Sequence, residues 1–429
     1  MYQRMRVVFR IGLFLSAVLL AVGVCFYPPT TVRGDGFPWE EGEARSATAP
    51  DDSRATSPAE SATSDARQDL VPDLAPNAKA AILIEATTGA VLYEKEADTP
   101  LPPASMTKVM TMLLVAEAVD AGRIRLEDRV VASERAARMG GSQVFLAPGE
   151  EMSLEDLLKS VAIASANDAA VALAEHVAGS VEQFVELMNR RARELGLEHT
   201  TFRNVHGLPE EGHVASARDL ALLGRELVRH AWILEYTGRY EDMLREGSAK
   251  PFWLVNTNRL VKFYPGMDGL KTGYTAEARY GLVATAKRGS LRFIAVVMGE
   301  PDVKTRNREV TTMLDYGFAQ LEASTLYARG ERVARLKVAG GTPEEVGARA
   351  GEEVVAVFPK GKGEVVRTEV VPRVPRAPFA AGIPVGEVVV RTEIAGKTYE
   401  ATFPLLAEEA VRLPSLPERI FRGLRDLVP

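Results

Sequence analysis

The chain has 429 residues, 46% of them hydrophobic and 26% charged, enough for more than one buried core. Its net charge of −6 speaks against the basic face of a nucleic-acid binder. With one cysteine, Cys25, and five histidines in no H-x-x-x-H pair, it can form no internal disulfide or thiolate cluster, and the expected chemistry calls for no metal and no cofactor.

At the N-terminus, Arg4, Arg6 and Arg10 precede the uncharged run IGLFLSAVLLAVGVCFY, so residues 1–27 read as a targeting segment and the protein is expected outside the cytoplasm. No well-placed A-x-A follows the run and Pro28-Pro29 come directly behind it, a pattern open to both a cleaved signal and a retained anchor. Residues 28–77 shift to Ala, Ser, Thr, Asp, Glu and Pro, the composition of a flexible acidic tether.

Ordered structure is expected from residue 78, where β-rich runs on either side of Thr88-Gly89 predict strand, turn, strand. In PASMTKVMT, Ser105 and Lys108 stand three positions apart, and the apolar residues after them recur at helical spacing until Gly122. The two side chains therefore share one face of a helix's first turn, with the lysine amine within reach of the hydroxyl. A serine hydroxyl is a poor nucleophile without a base beside it, and a lysine whose amine is kept neutral can serve. The other reading of an isolated S-x-x-K is a helix cap with its lysine in solvent.

Two later stretches bear on that choice. AIASANDAAVALAEHVAG reads as a helix-like segment whose apolar face is interrupted by Ser165 and Asn167, and inward polar groups need partners. PGMDGLKTGYT places Lys271, Thr272 and Gly273 at the opening of a β-rich run, and glycine in a strand often marks close approach of a ligand to the backbone. The chain holds one S-x-x-K, one S-x-N and one K-T-G, in that order. This set resembles that of penicillin-binding proteins and class A β-lactamases. The surrounding GGSQVFLAPGEEMSLEDLLKSVAIASANDAAVALAEHVAGS, NVHGLPEEGHVASARDLALLGRELV and MDGLKTGYTAEARYGLVATAKRG look like the D-alanyl-D-alanine carboxypeptidases, the low-molecular-weight penicillin-binding proteins, from residue 78 to the C-terminus.

The resemblance implies an α/β serine β-lactamase/transpeptidase-like catalytic domain over 78–325, an antiparallel sheet flanked by helices. It implies Ser105 as nucleophile on the terminal D-Ala-D-Ala bond of peptidoglycan stem peptides, Lys108 as its base, and β-lactam antibiotics as covalent inhibitors. Ser165 with Lys271 would pass a proton to the leaving amine, Asn167 would orient substrate and lysine, and Thr272 would bind the terminal carboxylate. Backbone N–H groups of Ser105 and Tyr274, beside Gly273, would hold the oxyanion. Arg306 aligns with a carboxylate-binding arginine, the alternative being a surface arginine; His206 reads as structural. Tyr274 stands where some relatives carry histidine, which bears on substrate preference.

From residue 326, short alternating runs predict a small all-β domain to 412, suited to spacing or partner contact. In 413–429, Ile420, Phe421, Leu424, Leu427 and Val428 share a helical face and Arg419, Arg422 and Arg425 lie elsewhere, the pattern of an amphipathic helix on a membrane surface or one packed on the β domain. Two other functions compete. Class A β-lactamases carry Asp inside S-D-N and an E-x-x-L-N segment, whereas this chain has Ala166 and no such segment. A silent cell-wall binding protein would not need a lysine beside a serine.

Overall fold

Alternating aliphatic runs set up the central sheet. In this computed structural model, which describes residues 72–362 and 366–425, AAILIE and VLYEK form β1 (Ala80–Glu85) and β2 (Val91–Lys95), joined through Gly89 at φ +76°. β3 (Met267–Thr275), β4 (Arg279–Arg288) and β5 (Leu291–Glu300) complete an antiparallel sheet in the order β2-β1-β5-β4-β3. Consecutive residues of β1, β4 and β5 point to opposite faces, and both faces are buried. Ile82, Ile84, Val283, Ile294 and Val296 enter one core, while Leu83, Leu282, Phe293, Ala295 and Val297 enter another.

The first core is covered by α1 (Lys108–Asp120), α2 (Leu154–Ala164), α3 (Asn167–Ala178) and α4 (Ala217–Leu227), and the second by α5 (Val303–Gln320). Side chains cap three of these: Ser153, Ser216 and Asp302 accept from the backbone N–H of Asp156, Asp219 and Thr305. Antiparallel sheet and flanking helices agree with the expected catalytic fold.

Two local expectations need correction. The Ser165–Asn167 segment is not one helix: α2 stops at Ala164, Ser165 takes the left-handed conformation at φ +63°, Ala166 is extended, and α3 starts afresh at Asn167. Alanine content predicts continuity, but the Asn167 N–H donates to Ser142 O at 2.7 Å instead of continuing a helix. Likewise the turn holding Ser105 is a 3₁₀ turn, Ala104–Thr107, preceding α1, with Ala104 at φ +48°. Ser105 lies inside that turn and does not cap α1, whose N-cap is Thr107.

After α5 the chain forms β6 (Leu321–Tyr327), β7 (Arg332–Lys337), β8 (Glu345–Ala350), β9 (Val354–Pro359), β10 (Val366–Pro372), β11 (Pro384–Ile394) and β12 (Lys397–Ala407). β6 pairs with β9, and the rest make an antiparallel sheet in the order β7-β8-β12-β11-β10 around Leu336, Val346, Val388, Phe403 and Leu405. This is the small all-β domain expected from the alternating runs. A terminal helix, α6 (Leu416–Arg425), follows, and Leu413, Leu416 and Ile420 are 59, 72 and 64% exposed. The targeting segment, residues 28–71 of the expected 28–77 tether, and the side chains of Phe421, Leu424, Leu427 and Val428 lie outside the described residues, whereas residues 72–77 are packed rather than flexible, with Leu74 and Ala75 buried in the second core and the Asn77 N–H donating to the Glu309 carboxylate. Among the described residues no helix is long and apolar enough to cross a membrane.

Candidate active site

Three separately coded elements meet at one amine. Lys108, the first residue of α1, is fully buried, and its Nζ lies 3.0 Å from Ser105 Oγ, 2.6 Å from Asn167 Oδ1 and 2.8 Å from His206 O. Two of these partners, an amide oxygen and a backbone carbonyl, only accept; the hydroxyl can also donate. Protonated, the amine donates to all three; neutral, it keeps two N–H groups for the two acceptors and a lone pair for the Ser105 hydroxyl proton. Burial holds the Lys108 pKa well below the ordinary 10.5, the positive charge of Lys271 lowers it further, and Asp168 opposes the shift. The reading of Ser105 as a cap with Lys108 in solvent is excluded by this geometry.

Asn167 is fixed on its other side, its Nδ2 donating to Gly140 O at 2.7 Å. Asp168, fully buried, accepts from Val144 N and Leu146 N at 3.1 to 3.2 Å and so ties the 140–146 loop to the start of α3. Ser165, 3% exposed, occupies the left-handed corner two residues before Asn167.

β3 brings the K-T-G residues alongside. Lys271 is 1% exposed and its Nζ donates to Thr272 O at 3.1 Å; Thr272 Oγ1 donates to Thr257 Oγ1 at 2.8 Å. Tyr274 is 54% exposed and packs on Tyr280 with ring centroids 4.4 Å apart. Arg306, on α5, is 3% exposed rather than a surface arginine, and its guanidinium donates to Asn307 Oδ1. No hydrogen bond among the described residues joins it to the motif residues; its link to Lys271 is charge. Burial and then the Arg306 charge lower Lys271 to about 7, while burial, opposed by Glu300, lowers Arg306 to about 10.

The Lys271 shift predicts a pH-dependent stability. Between about 7 and the ordinary 10.5, the unfolded chain carries a proton on this amine that the folded chain does not, so stability rises with pH through that window. Urea unfolding of wild type and Lys271→Met across the window should show the wild type gaining on the variant as pH rises. A constant difference would mean that the folded amine keeps its proton.

His206 is structural through its side chain: Nδ1 accepts from Leu208 N, and burial beside Lys108 lowers its pKa to about 3. Its carbonyl, however, contacts the Lys108 amine, a role sequence reasoning missed together with those of Gly140, Asp168 and Thr257. The G-G pair at 140–141 carried a signal: a Cβ at Gly141 would lie 2.7 Å from Asn167 Nδ2. His213 supports the nucleophile turn from behind, its Nε2 2.7 Å from Thr107 Oγ1, which itself donates to Ala104 O. A hydroxyl against a poised amine, a second buried lysine and backbone N–H groups on two elements is an arrangement suited to acyl transfer through a serine ester.

The family model for D-alanyl-D-alanine carboxypeptidase matches residues 65–302, and that for the C-terminal domain of penicillin-binding protein 5 matches residues 321–412. The D-alanyl-D-alanine carboxypeptidase DacF of Bacillus subtilis is 54% identical over 290 residues, 68% of this chain and 75% of that protein. Among solved structures, penicillin-binding protein 5 from Haemophilus influenzae aligns with a TM-score of 0.60 at 32% identity, covering 78% of this chain and 98% of that one. Penicillin-binding protein D2 from Listeria monocytogenes, solved in its ampicillin-bound form, aligns with a TM-score of 0.52 at 33% identity over 58% of this chain and 100% of that one.

Proposed function

The chain belongs to the D-alanyl-D-alanine carboxypeptidase family, and from that premise we propose a serine mechanism carried by Ser105 and Lys108. The protein is a penicillin-sensitive D-alanyl-D-alanine carboxypeptidase that removes the terminal D-Ala of peptidoglycan stem pentapeptides. The observation that carries the assignment of roles is the buried Lys108 amine with two obligate acceptors and the Ser105 hydroxyl as its third neighbour.

In this reading Lys108 Nζ takes the hydroxyl proton as Ser105 Oγ attacks the carbonyl carbon between the two D-alanines. The oxyanion is held by the N–H groups of Ser105 and Tyr274. As the C–N bond breaks, the amine takes a proton through Ser165, supported by Lys271, and D-alanine leaves. Water then cleaves the ester, releasing the shortened peptide acid and restoring the hydroxyl. Asn167 orients the substrate amide, while Thr272 and Arg306 hold the terminal carboxylate. With a β-lactam the cleaved amide stays tethered to the acyl group, so the same attack leaves an ester that blocks the site. Residues 78–325 form the catalytic domain and 326–412 the β domain. The enzyme works outside the cytoplasm, and the 413–429 tail attaches it to the membrane surface, a reading supported by the exposure of Leu413, Leu416 and Ile420.

The test is intact-mass and peptide-mapping analysis of the full-length protein with benzylpenicillin, alongside D-alanine release from a stem pentapeptide. A persistent adduct on the peptide containing Ser105, with D-alanine release lost in step, is the expected result. No adduct, or one mapped elsewhere, would overturn the assignment. Rapid penicillin turnover without a lasting adduct would make the protein a β-lactamase instead.

A further inference from the structure

Gly273 and Gly281 face each other across β3 and β4 in register. Neither carries a left-handed φ, so the backbone itself does not demand glycine at either position, and glycine is a poor strand residue without another reason. The reason lies in what occupies the space. A Cβ at Gly273 would lie 2.8 Å from Pro103 O and 3.1 Å from Met106 Cγ. One at Gly281 would lie 2.6 Å from Met106 Cε, 3.1 Å from its Sδ and 3.1 Å from Val297 O. The two glycines thus open a slot across both strands, and the Met106 side chain, 2% exposed, lies along it.

Met106 is the residue after Ser105 in a single 3₁₀ turn, so the two share a peptide unit and cannot move independently. The turn is closed from the other side as well. A Cβ at Gly207 would sit 1.8 Å from Ala104 O, and Thr107 is held by His213. Anything that lifts Met106 from the sheet therefore moves Ser105 relative to Lys271, Thr272 and the Tyr274 N–H on β3.

We propose that Gly281, on the strand next to the K-T-G strand, is a positioning residue for the Ser105 nucleophile, acting through the Met106 side chain that fills the place of its missing Cβ. It touches no reacting atom. The proposal rests on Ser105 as nucleophile, and the experiment separates the two: if wild type forms no penicillin ester on Ser105, the mechanism fails, whereas the proposal is judged only by ratios among variants that do.

The experiment measures the second-order rate constant for acylation by benzylpenicillin in the full-length wild type, Gly281→Ala, Gly281→Val, Met106→Ala and the Gly281→Val/Met106→Ala double variant, with thermal midpoints alongside. Because the thioether end can swing by a few tenths of an ångström, Gly281→Ala should slow acylation slightly and Gly281→Val by at least about tenfold. Shortening Met106 should return the double variant to the rate of Met106→Ala alone, which a general loss of stability would not do. A Gly281→Val rate within about twofold of wild type, or a double variant no faster than Gly281→Val, would overturn the proposal. Should the valine variants fail to fold, Gly281→Ala and the Gly281→Ala/Met106→Ala double variant decide: a slowed rate in the first, returned in the second to that of Met106→Ala alone, supports it, and an unrestored rate or no slowing refutes it.

Discussion

Lys108→Met should lose about 10²- to 10⁴-fold in the rate of acylation by benzylpenicillin and in D-alanine release, while remaining folded. The loss has two sources: the Ser105 proton has no acceptor, and the Asn167 amide loses the partner at 2.6 Å that helps fix its rotamer. Stability should move little. Methionine fills nearly the same volume, the burial that depresses the Lys108 pKa is relieved, and against this stand two acceptors, Asn167 Oδ1 and His206 O, left without a donor at about 1 to 3 kcal/mol each. The wild-type rate should rise with pH through the depressed lysine pKa, reaching its plateau well below 10.5, and the variant should lack that limb. Stopped-flow acylation across pH with thermal midpoints checks both halves. A variant that keeps the rising limb would put the base elsewhere, and one that unfolds would make Lys108 a structural residue.

How much of this was legible beforehand depends on whether the signal is local. The β1–β2 hairpin, α1 and the β domain were readable because period and turn chemistry lie within a few consecutive residues. The corner at Ser165 was not, since an alanine-rich run favours helix and the decisive bond comes from Ser142, more than twenty positions away in the chain. The Ala104 turn was misjudged for a related reason: its left-handed φ is imposed by tertiary packing and not announced by residue type.

The candidate site divides in the same way. Ser105, Lys108, Asn167 and Lys271 could be singled out because S-x-x-K, S-x-N and K-T-G each fix side-chain types at a set spacing and together, in that order, resemble the motif set of a known family. The partners that fix them are largely backbone atoms, Gly140 O, Ser142 O and His206 O, and any residue can supply a carbonyl, so no pattern marks them. Asp168 had a side-chain identity but no visible partner, because the N–H groups it binds belong to Val144 and Leu146. Burial decided Arg306: at 3% exposure the surface reading falls, and its charge adds to the burial that lowers the Lys271 amine.

Gly207→Ala is expected to be the most damaging single-methyl change in the catalytic domain. Its φ of +88° lies where an L side chain is strained, and the new Cβ would fall 1.8 Å from Ala104 O and 2.9 Å from Ser105 N. Both neighbours are backbone, so no rotamer change relieves the clash, unlike at Gly281 where the nearest atom ends a flexible side chain. Strain and overpacking together should cost about 3 kcal/mol or more, lowering the thermal midpoint by roughly 10 °C. Activity should fall further than stability explains, because the displaced atom is the Ser105 N–H proposed to hold the oxyanion, and losing one such donor costs about 10²- to 10³-fold. The 206–208 backbone that carries the clash also presents His206 O to Lys108, so base and oxyanion donor shift together. Calorimetry with penicillin acylation on the folded fraction checks this. A variant with wild-type acylation would show that the turn yields without moving Ser105, and would weaken the proposed role of its N–H.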